Sequence, residues 1–294
     1  MKMPRRFSLT PYLFLMPVVI VLLVLTIYPL IFSLWNSFHI WYLGRPHVKP
    51  FVGLSNYVNL ILYDTTFRIS LINTAIIAAV AIPIELGLGL LLAVLIYYER
   101  PKGERIFRTV LILPMLASPV VVGVLWRFLY HPNVGLINYL LESTLGIGHV
   151  NFLGDPNLAL MSVILVDIWQ WTSFMFLIFL AGLFSLPIEV TEAALIDGAS
   201  GLPMFRYVTL PLIRPLLTLA LIFRTMDVVK LFDIVYVMTR GGPGSATDTL
   251  TLYAFRQGLV YFQMGTASAL SFIIAIIITI ITMIFFRLLG RELA

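Results

Sequence analysis

Six long apolar stretches restrict what this sequence can fold into. Each is long enough to cross a bilayer, which takes about 20 residues of α-helix. Only 11% of the 294 residues are charged, whereas a typical soluble protein has about 25%. The sequence therefore predicts an all-α membrane protein with six transmembrane helices, at residues 12–34, 75–98, 110–130, 158–184, 216–238 and 267–289.

The first stretch follows three basic residues, Lys2, Arg5 and Arg6, as the apolar part of a signal peptide would. It is longer than the roughly 7–15 apolar residues of such a signal. No small-x-small cleavage motif ends it. We therefore expect it to be retained as the first span.

The distribution of lysine and arginine predicts the orientation, because these residues are enriched in cytoplasmic loops. With a cytoplasmic N-terminus, the inner side holds 11 of them and the outer side holds 5. The inner residues lie at 2–6, 100–108, 206–214 and 287–291, and the outer ones at 45–49, 68, 240 and 256. Both termini and the loop 185–214 are therefore predicted to be cytoplasmic.

Several function classes receive no support from the sequence. The net charge of +5 is explained by basic cytoplasmic loops, so we expect no nucleic-acid partner. There is no cysteine, and the four histidines lack metal-ligand spacing. No Gly-x4-Gly-Lys-Ser/Thr motif is present to bind ATP phosphates. With no nucleophile–base pair either, we predict that the chain is not an enzyme and carries no cofactor or metal.

The loop 185–214 has the pattern of a short ordered helix. Ser185 is predicted to cap it and Pro187 to lie in its first turn. Glu189 and Glu192 would lie near the positive end of the helix dipole. Gly198 would end the helix in a left-handed conformation. This pattern favours a docking surface for a soluble partner, because a helix lying on lipid headgroups would carry Lys and Arg on its polar face.

A second short helix is predicted at residues 202–208, after which Pro211 and Pro215 would redirect the chain into the fifth span. Glu192-Ala193-Ala194, Asp197-Gly198-Ala199 and Leu210-Pro211 together closely resemble the signature loop of bacterial ATP-binding-cassette importer permeases. Three other segments are similar to the maltose and glycerol-3-phosphate type of sugar permease: Val52 to Tyr57, Trp126 to Asn138 and Phe232 to Leu250.

The resemblance implies a type I importer permease fold and a set of partners. The loop helix would be the coupling helix, seated in a groove of a separate ATPase subunit that binds ATP and Mg. Two such cytoplasmic ATPases, a second homologous permease and an extracytoplasmic solute-binding protein would complete the importer. Residues 1–70 would add a tail, the first span and an outer loop to a transmembrane domain at 71–290. The chain would translocate a sugar or sugar derivative across the bacterial inner membrane by alternating access.

Charged and aromatic residues inside the spans mark candidate substrate contacts, because intramembrane charges are costly and face protein or water. In the fifth span Arg224, Asp227, Lys230 and Asp233 follow at steps of three with alternating sign. They form either a self-neutralising ladder or, at Asp227, Lys230 and Asp233, part of the substrate path. In the fourth span the candidates are Asp167, Trp169, Gln170 and Trp171. Asp167 and Trp171 should share one helix face.

Glu85 stands alone in the second span, and we expect it to bond to another helix. Two alternatives to the importer remain at this point. An ion-coupled secondary carrier of a small polar solute would usually show inverted repeats and interrupted midplane helices. A membrane enzyme would need an acid, base or metal cluster at the membrane surface, and the sequence shows none.

Overall fold

The computed structural model describes residues 10–289, and these are helical apart from their connections. Two isolated β-bridges are the only extended pairing within that range. The predicted all-α class is therefore confirmed. In chain order the α-helices are α1 (Thr10–Leu22), α2 (Tyr28–Ser37), α3 (Ser55–Val58), α4 (Thr65–Glu99), α5 (Glu104–Leu116), α6 (Pro119–Leu129), α7 (Leu136–Leu145), α8 (Pro156–Phe184), α9 (Ile188–Ile196), α10 (Gly201–Met204), α11 (Leu210–Val229), α12 (Asp233–Met238), α13 (Leu250–Phe255) and α14 (Met264–Leu289).

The chain divides into two compact units, and the smaller comprises residues up to 63 together with 254–273. In it α1 and α2 join through a π-helical turn at Leu23–Ile27. Pro29 follows that turn, and since proline lacks an N–H and clashes with the carbonyl four residues earlier, a wider turn relieves the strain. Buried Asn56 donates hydrogen bonds to the carbonyls of Ser37 (2.8 Å) and His39 (3.0 Å).

The larger unit comprises residues 64–253 and the chain from 274 onward. Its centre is the long contact of α4 with α8, against which α5 and α11 also pack. The buried side chains of this core are mostly aliphatic or aromatic: Ala93, Ile96, Met175, Phe176, Phe179, Leu180, Leu183, Ile213 and Ala220. This contact fixes the relative positions of the helices that carry the charged residues described below.

Gly89 of α4 lies against the backbone and side chain of Met175 on α8. A Cβ atom at this position would lie 2.5 Å from the Cβ of Met175. We expect Gly89→Val to force the two helices apart and to cost about 1–3 kcal/mol of folding free energy. A thermal-unfolding curve in detergent would show the lower Tm. Gly87→Val is the matched control, since no atom lies within 4 Å of its Cβ position; equal Tm losses in both variants would contradict the packing argument.

Four of the six predicted spans are single helices. Leu13–Ser37, Thr65–Glu99, Pro156–Phe184 and Met264–Arg287 are long and apolar enough to cross a membrane. The number rises to five if α5 and α6, which meet at a bend of 98°, form one broken span. The third stretch is therefore not one continuous helix. Its break follows from Pro119, which cannot donate a backbone hydrogen bond to continue α5.

The fifth stretch is also interrupted. Helix α11 ends at Val229, residues 230–232 are non-helical, and α12 begins at Asp233. The charge ladder, one of the two alternatives for these residues, therefore does not continue along one helix beyond Asp227. Helix α11 contains three charged residues, Arg214, Arg224 and Asp227. It is therefore less apolar than the four helices that qualify as membrane spans by length and composition.

The loop 185–214 is helical, with two differences from expectation. Ser185 is the C-cap of α8 and not the N-cap of α9, since Pro187 occupies that position without a side-chain hydrogen bond. The second helix does not end at residue 208. It continues from α10 through a π-helical turn at Phe205–Thr209 into α11, and this widened turn accommodates Pro211.

The left-handed end of the loop helix is confirmed. Gly198 has φ +84°, and the Ala199 N–H donates to the Ala194 carbonyl at 2.9 Å. Four of the basic residues that predict the orientation of the termini lie outside the described residues: Lys2, Arg5, Arg6 and Arg291.

Candidate functional sites

The first candidate site is the loop helix α9 and its glycine end. None of its nine residues is buried. Its exposed residues include large apolar side chains: Ile188 is 66% exposed, Leu195 is 56% and Ile196 is 86%. Such side chains on a short exposed helix form a surface that another protein can cover.

All eight residues of the predicted coupling surface are at least partly accessible. Glu192, Ala193, Asp197, Gly198 and Pro211 are exposed, and Ala194, Ala199 and Leu210 are half-buried. The first six of these in chain order lie on α9 or directly after it, whereas Leu210 and Pro211 begin α11. The loop therefore presents these residues without burying them in its own unit.

The loop is connected directly to the core helices. Helix α9 contacts the π-helical turn Phe205–Thr209. From that turn, the Thr209 hydroxyl hydrogen-bonds the Tyr98 hydroxyl at the end of α4 (2.6 Å). An apolar groove of about 660 Å³ lies beside this contact, lined by residues that include Leu90, Val94 and Leu202. The loop is therefore linked to α4 by polar and apolar contacts and continues directly into α11.

The second candidate site is a buried charge cluster around Arg224 of α11. Its Nε donates to Glu85 Oε2 at 2.6 Å, and its Nη2 donates to Glu85 Oε1 at 2.9 Å. Nη2 also donates to Asp167 Oδ2. The side chains of Arg224, Glu85 and Asp167 are fully buried. One guanidinium therefore joins α4, α8 and α11, and Glu85 bonds to another helix as expected.

The cluster reaches partly accessible residues on one side. Nη1 of Arg224 donates to Asp227 Oδ2 at 2.7 Å, and 44% of the Asp227 side chain is exposed. The Trp171 ring lies over the guanidinium, 4.9 Å from Cζ to the ring centroid, an arrangement that adds cation–π attraction. Asp167 and Trp171 both contact Arg224, so they share a face of α8 as predicted.

Gln170 and Trp169 contact the third stretch. Buried Gln170 donates from Nε2 to the Ala117 carbonyl at 2.9 Å, and Ala117 is the residue after α5 at the bend of the third stretch. Trp169 packs edge-on against Trp126 of α6. It is 39% exposed and lies in line with exposed Leu165 on the same face of α8.

Lys230 and Asp233 flank the break between α11 and α12, and both are exposed. Beyond the break, α12 packs against α6. There Arg127 donates from Nη1 to the Val237 carbonyl at 3.2 Å. The C-terminal halves of both interrupted stretches therefore pack on each other.

Sequence reasoning missed the pairing of Glu85 with Arg224. The two residues are 139 positions apart, so no local spacing relates them. The available signal was the cost of burying one charge in each of two spans, which a pair removes. Among residues 10–289 no group of three or more His, Cys, Asp or Glu side chains could hold a metal ion.

Comparison with known proteins decides the family. Residues 85–294, which include both candidate sites, match the family of binding-protein-dependent transport system inner membrane components. The chain belongs to this family. It is thus a membrane component of a transport system and not an enzyme.

Relatives of similar length support the same assignment. The chain is 38% identical to the trehalose/maltose transport system permease protein MalF of Thermococcus litoralis, over 99% of this chain and 96% of that protein. It is 34% identical to the sn-glycerol-3-phosphate transport system permease protein UgpA of Yersinia enterocolitica, over 97% and 95%. A bacterial alginate ABC transporter, crystallised with an alginate-bound periplasmic protein, matches with a TM-score of 0.84 at 23% identity, over 96% and 94%. That match shows the ABC importer permease fold.

Proposed function

We propose that this permease forms the transmembrane path of an ATP-driven importer for a sugar or sugar derivative. The observation that carries the proposal is helix α9, which has no buried residue and leaves the large apolar side chains of Ile188, Leu195 and Ile196 mostly exposed. A protein partner that covers this helix explains the exposure. Relatives that are named sugar permeases support the substrate class.

In this proposal the chain crosses the bacterial inner membrane six times. The bent pair α5–α6 forms the third span and the interrupted pair α11–α12 the fifth. Both termini and the loop 185–214 lie in the cytoplasm, and residues 71–290 form the transmembrane domain, with residues 1–70 as an addition.

The partners complete the transport cycle. Two cytoplasmic ATPases bind ATP and Mg and receive α9, a second homologous permease closes the path, and an extracytoplasmic binding protein delivers the substrate. Closure of the ATPases pushes α9 and shifts the population between inward-facing and outward-facing states. No cofactor is assigned to this chain.

Reconstitution tests the function. Proteoliposomes that contain this permease and its partner subunits should take up radiolabelled maltose or trehalose only with internal ATP and external binding protein. Uptake by this chain alone, driven by a sodium or proton gradient, would instead establish the secondary carrier. Failure to transport any sugar with all partners present would contradict the substrate class.

We assign the substrate path to the accessible polar groups, which are Asp227, Lys230 and Asp233, together with the half-buried ring of Trp171. Sugar hydroxyls donate and accept hydrogen bonds, and an indole face packs on a sugar ring. Asp167 acts on Asp227 and Trp171 through Arg224, whereas Gln170 holds the bend at Ala117. Trp169 belongs to an exposed stripe of α8.

Lys230→Ala should slow uptake while the importer still assembles. Removing one hydrogen bond to a charged group costs about 1.5–3 kcal/mol, which predicts a loss of roughly tenfold or more in kcat/KM for uptake. Initial uptake rates and co-purification of the subunits would be measured together. Lys102→Ala, at an exposed lysine in the loop after α4, should leave both unchanged. Normal uptake by the Lys230 variant would remove this residue from the path.

A further inference from the structure

The charge balance at the second candidate site bears on which sugars the path accepts. Arg224 pairs with three carboxylates, and the break that follows α11 carries one more carboxylate and a second cation. The two neighbouring segments thus hold four carboxylates and two cations, a formal balance of −2. The carboxylates belong to Glu85, Asp167, Asp227 and Asp233, and the cations to Arg224 and Lys230.

Most of the hydrogen-bonding capacity of the buried arginine is already used within the chain. Its four hydrogen bonds to Glu85, Asp167 and Asp227 use four of the five N–H groups of a guanidinium. Its face is covered by the Trp171 ring. An anionic substrate that paired with two N–H groups of Arg224 would have to displace a carboxylate of the chain itself, and a displaced Glu85 or Asp167 would remain buried without its cation.

The accessible surface of the site is also negative. Asp227 and Asp233 offer two carboxylates and Lys230 offers one cation. Arg127, one turn farther along the α6–α12 contact, donates to a backbone carbonyl. Adding the positive charge of Arg127 changes the formal charge of the whole site from −2 to −1, so the site remains negative.

From this balance we propose that the path selects neutral polyhydroxyl substrates and discriminates against phosphorylated, sulfonated or uronic acid sugars. The inference rests on the substrate path proposed above. Carboxylates accept hydrogen bonds from neutral hydroxyls, whereas they repel a phosphate or carboxylate at the same distance. Discrimination by the permease would then add to any selectivity of the binding protein.

Direct binding to the purified importer isolates the contribution of the permease. The complete importer without binding protein is titrated in detergent with maltose, trehalose and sn-glycerol 3-phosphate at millimolar concentrations, with tryptophan fluorescence as the signal. We expect maltose or trehalose to bind more tightly than sn-glycerol 3-phosphate. Tighter binding of the phosphate, or no difference in binding between the charge classes, overturns the inference.

A charge variant provides the second measurement. Asp227→Asn keeps the shape of the side chain and removes one negative charge. Two unit charges 4 Å apart in water interact by about 1 kcal/mol, so the ratio of phosphate to neutral-sugar affinity should rise about fivefold. Glu142→Gln, at an exposed acid on α7, should leave the ratio unchanged. An unchanged ratio in the Asp227 variant also overturns the inference.

These outcomes separate the two proposals. If the reconstituted importer transports an anionic sugar, the proposed function stands and the charge selection fails. If ATP-dependent uptake of both neutral and anionic sugars is absent, the proposed function itself fails.

Discussion

Replacing Gly198 with valine is expected to uncouple ATP hydrolysis from transport. Gly198 has φ +84°, a region that costs an L-residue about 1–2 kcal/mol and a β-branched residue more. A penalty of 1–2 kcal/mol lowers the population of the left-handed helix end by a factor of about 5–30. No atom lies within 4 Å of the Cβ position, so the effect comes from backbone conformation and not from crowding.

The measurement is ATPase activity stimulated by the loaded binding protein, in the reconstituted importer. Gly198→Val should lose most of that stimulation, whereas the Tm of the permease should change little because α9 has no buried residue. Gly198→Asn is the matched variant, since asparagine tolerates the left-handed conformation, and it should retain coupling. Full stimulation in the valine variant would refute the docking role of the loop end.

Replacing Arg224 with methionine should destabilise the permease itself. The substitution leaves the carboxylates of Glu85 and Asp167 fully buried without their cation. Removing one partner of a buried ion pair typically costs about 3–5 kcal/mol, which is a large part of the roughly 5–15 kcal/mol that holds a domain together. Low yield in the membrane and a much lower Tm in detergent are the expected results.

Neutral partners should restore part of the loss. The triple variant Arg224→Met, Glu85→Gln, Asp167→Asn removes the uncompensated charges and should recover a large share of the Tm. Arg105→Met, at an exposed arginine of α5, is the control for loss of a basic side chain and should melt like the parent protein. A wild-type Tm for Arg224→Met would show that the cluster does not hold the helices together.

The two sites were accessible to sequence reasoning to different degrees. The loop could be located because its signals are local: a proline, acidic residues and a glycine within about 14 positions. Its helix and left-handed end were predicted, although Ser185 caps α8 and not α9. The charge cluster could not be predicted, since Arg224 lies 139 positions from Glu85 and 57 from Asp167.

The sequence by itself determined that this protein is an all-α membrane chain, where four of its six apolar spans lie and where its loop helix ends. These features depend on hydrophobicity and backbone preferences over fewer than about 30 neighbouring residues. Only the tertiary structure decided that Arg224 pairs with three carboxylates and that Gln170 donates a hydrogen bond to the Ala117 carbonyl at the bend. Helix packing brings these groups together, and because packing depends on contacts between distant segments, no local pattern encodes it.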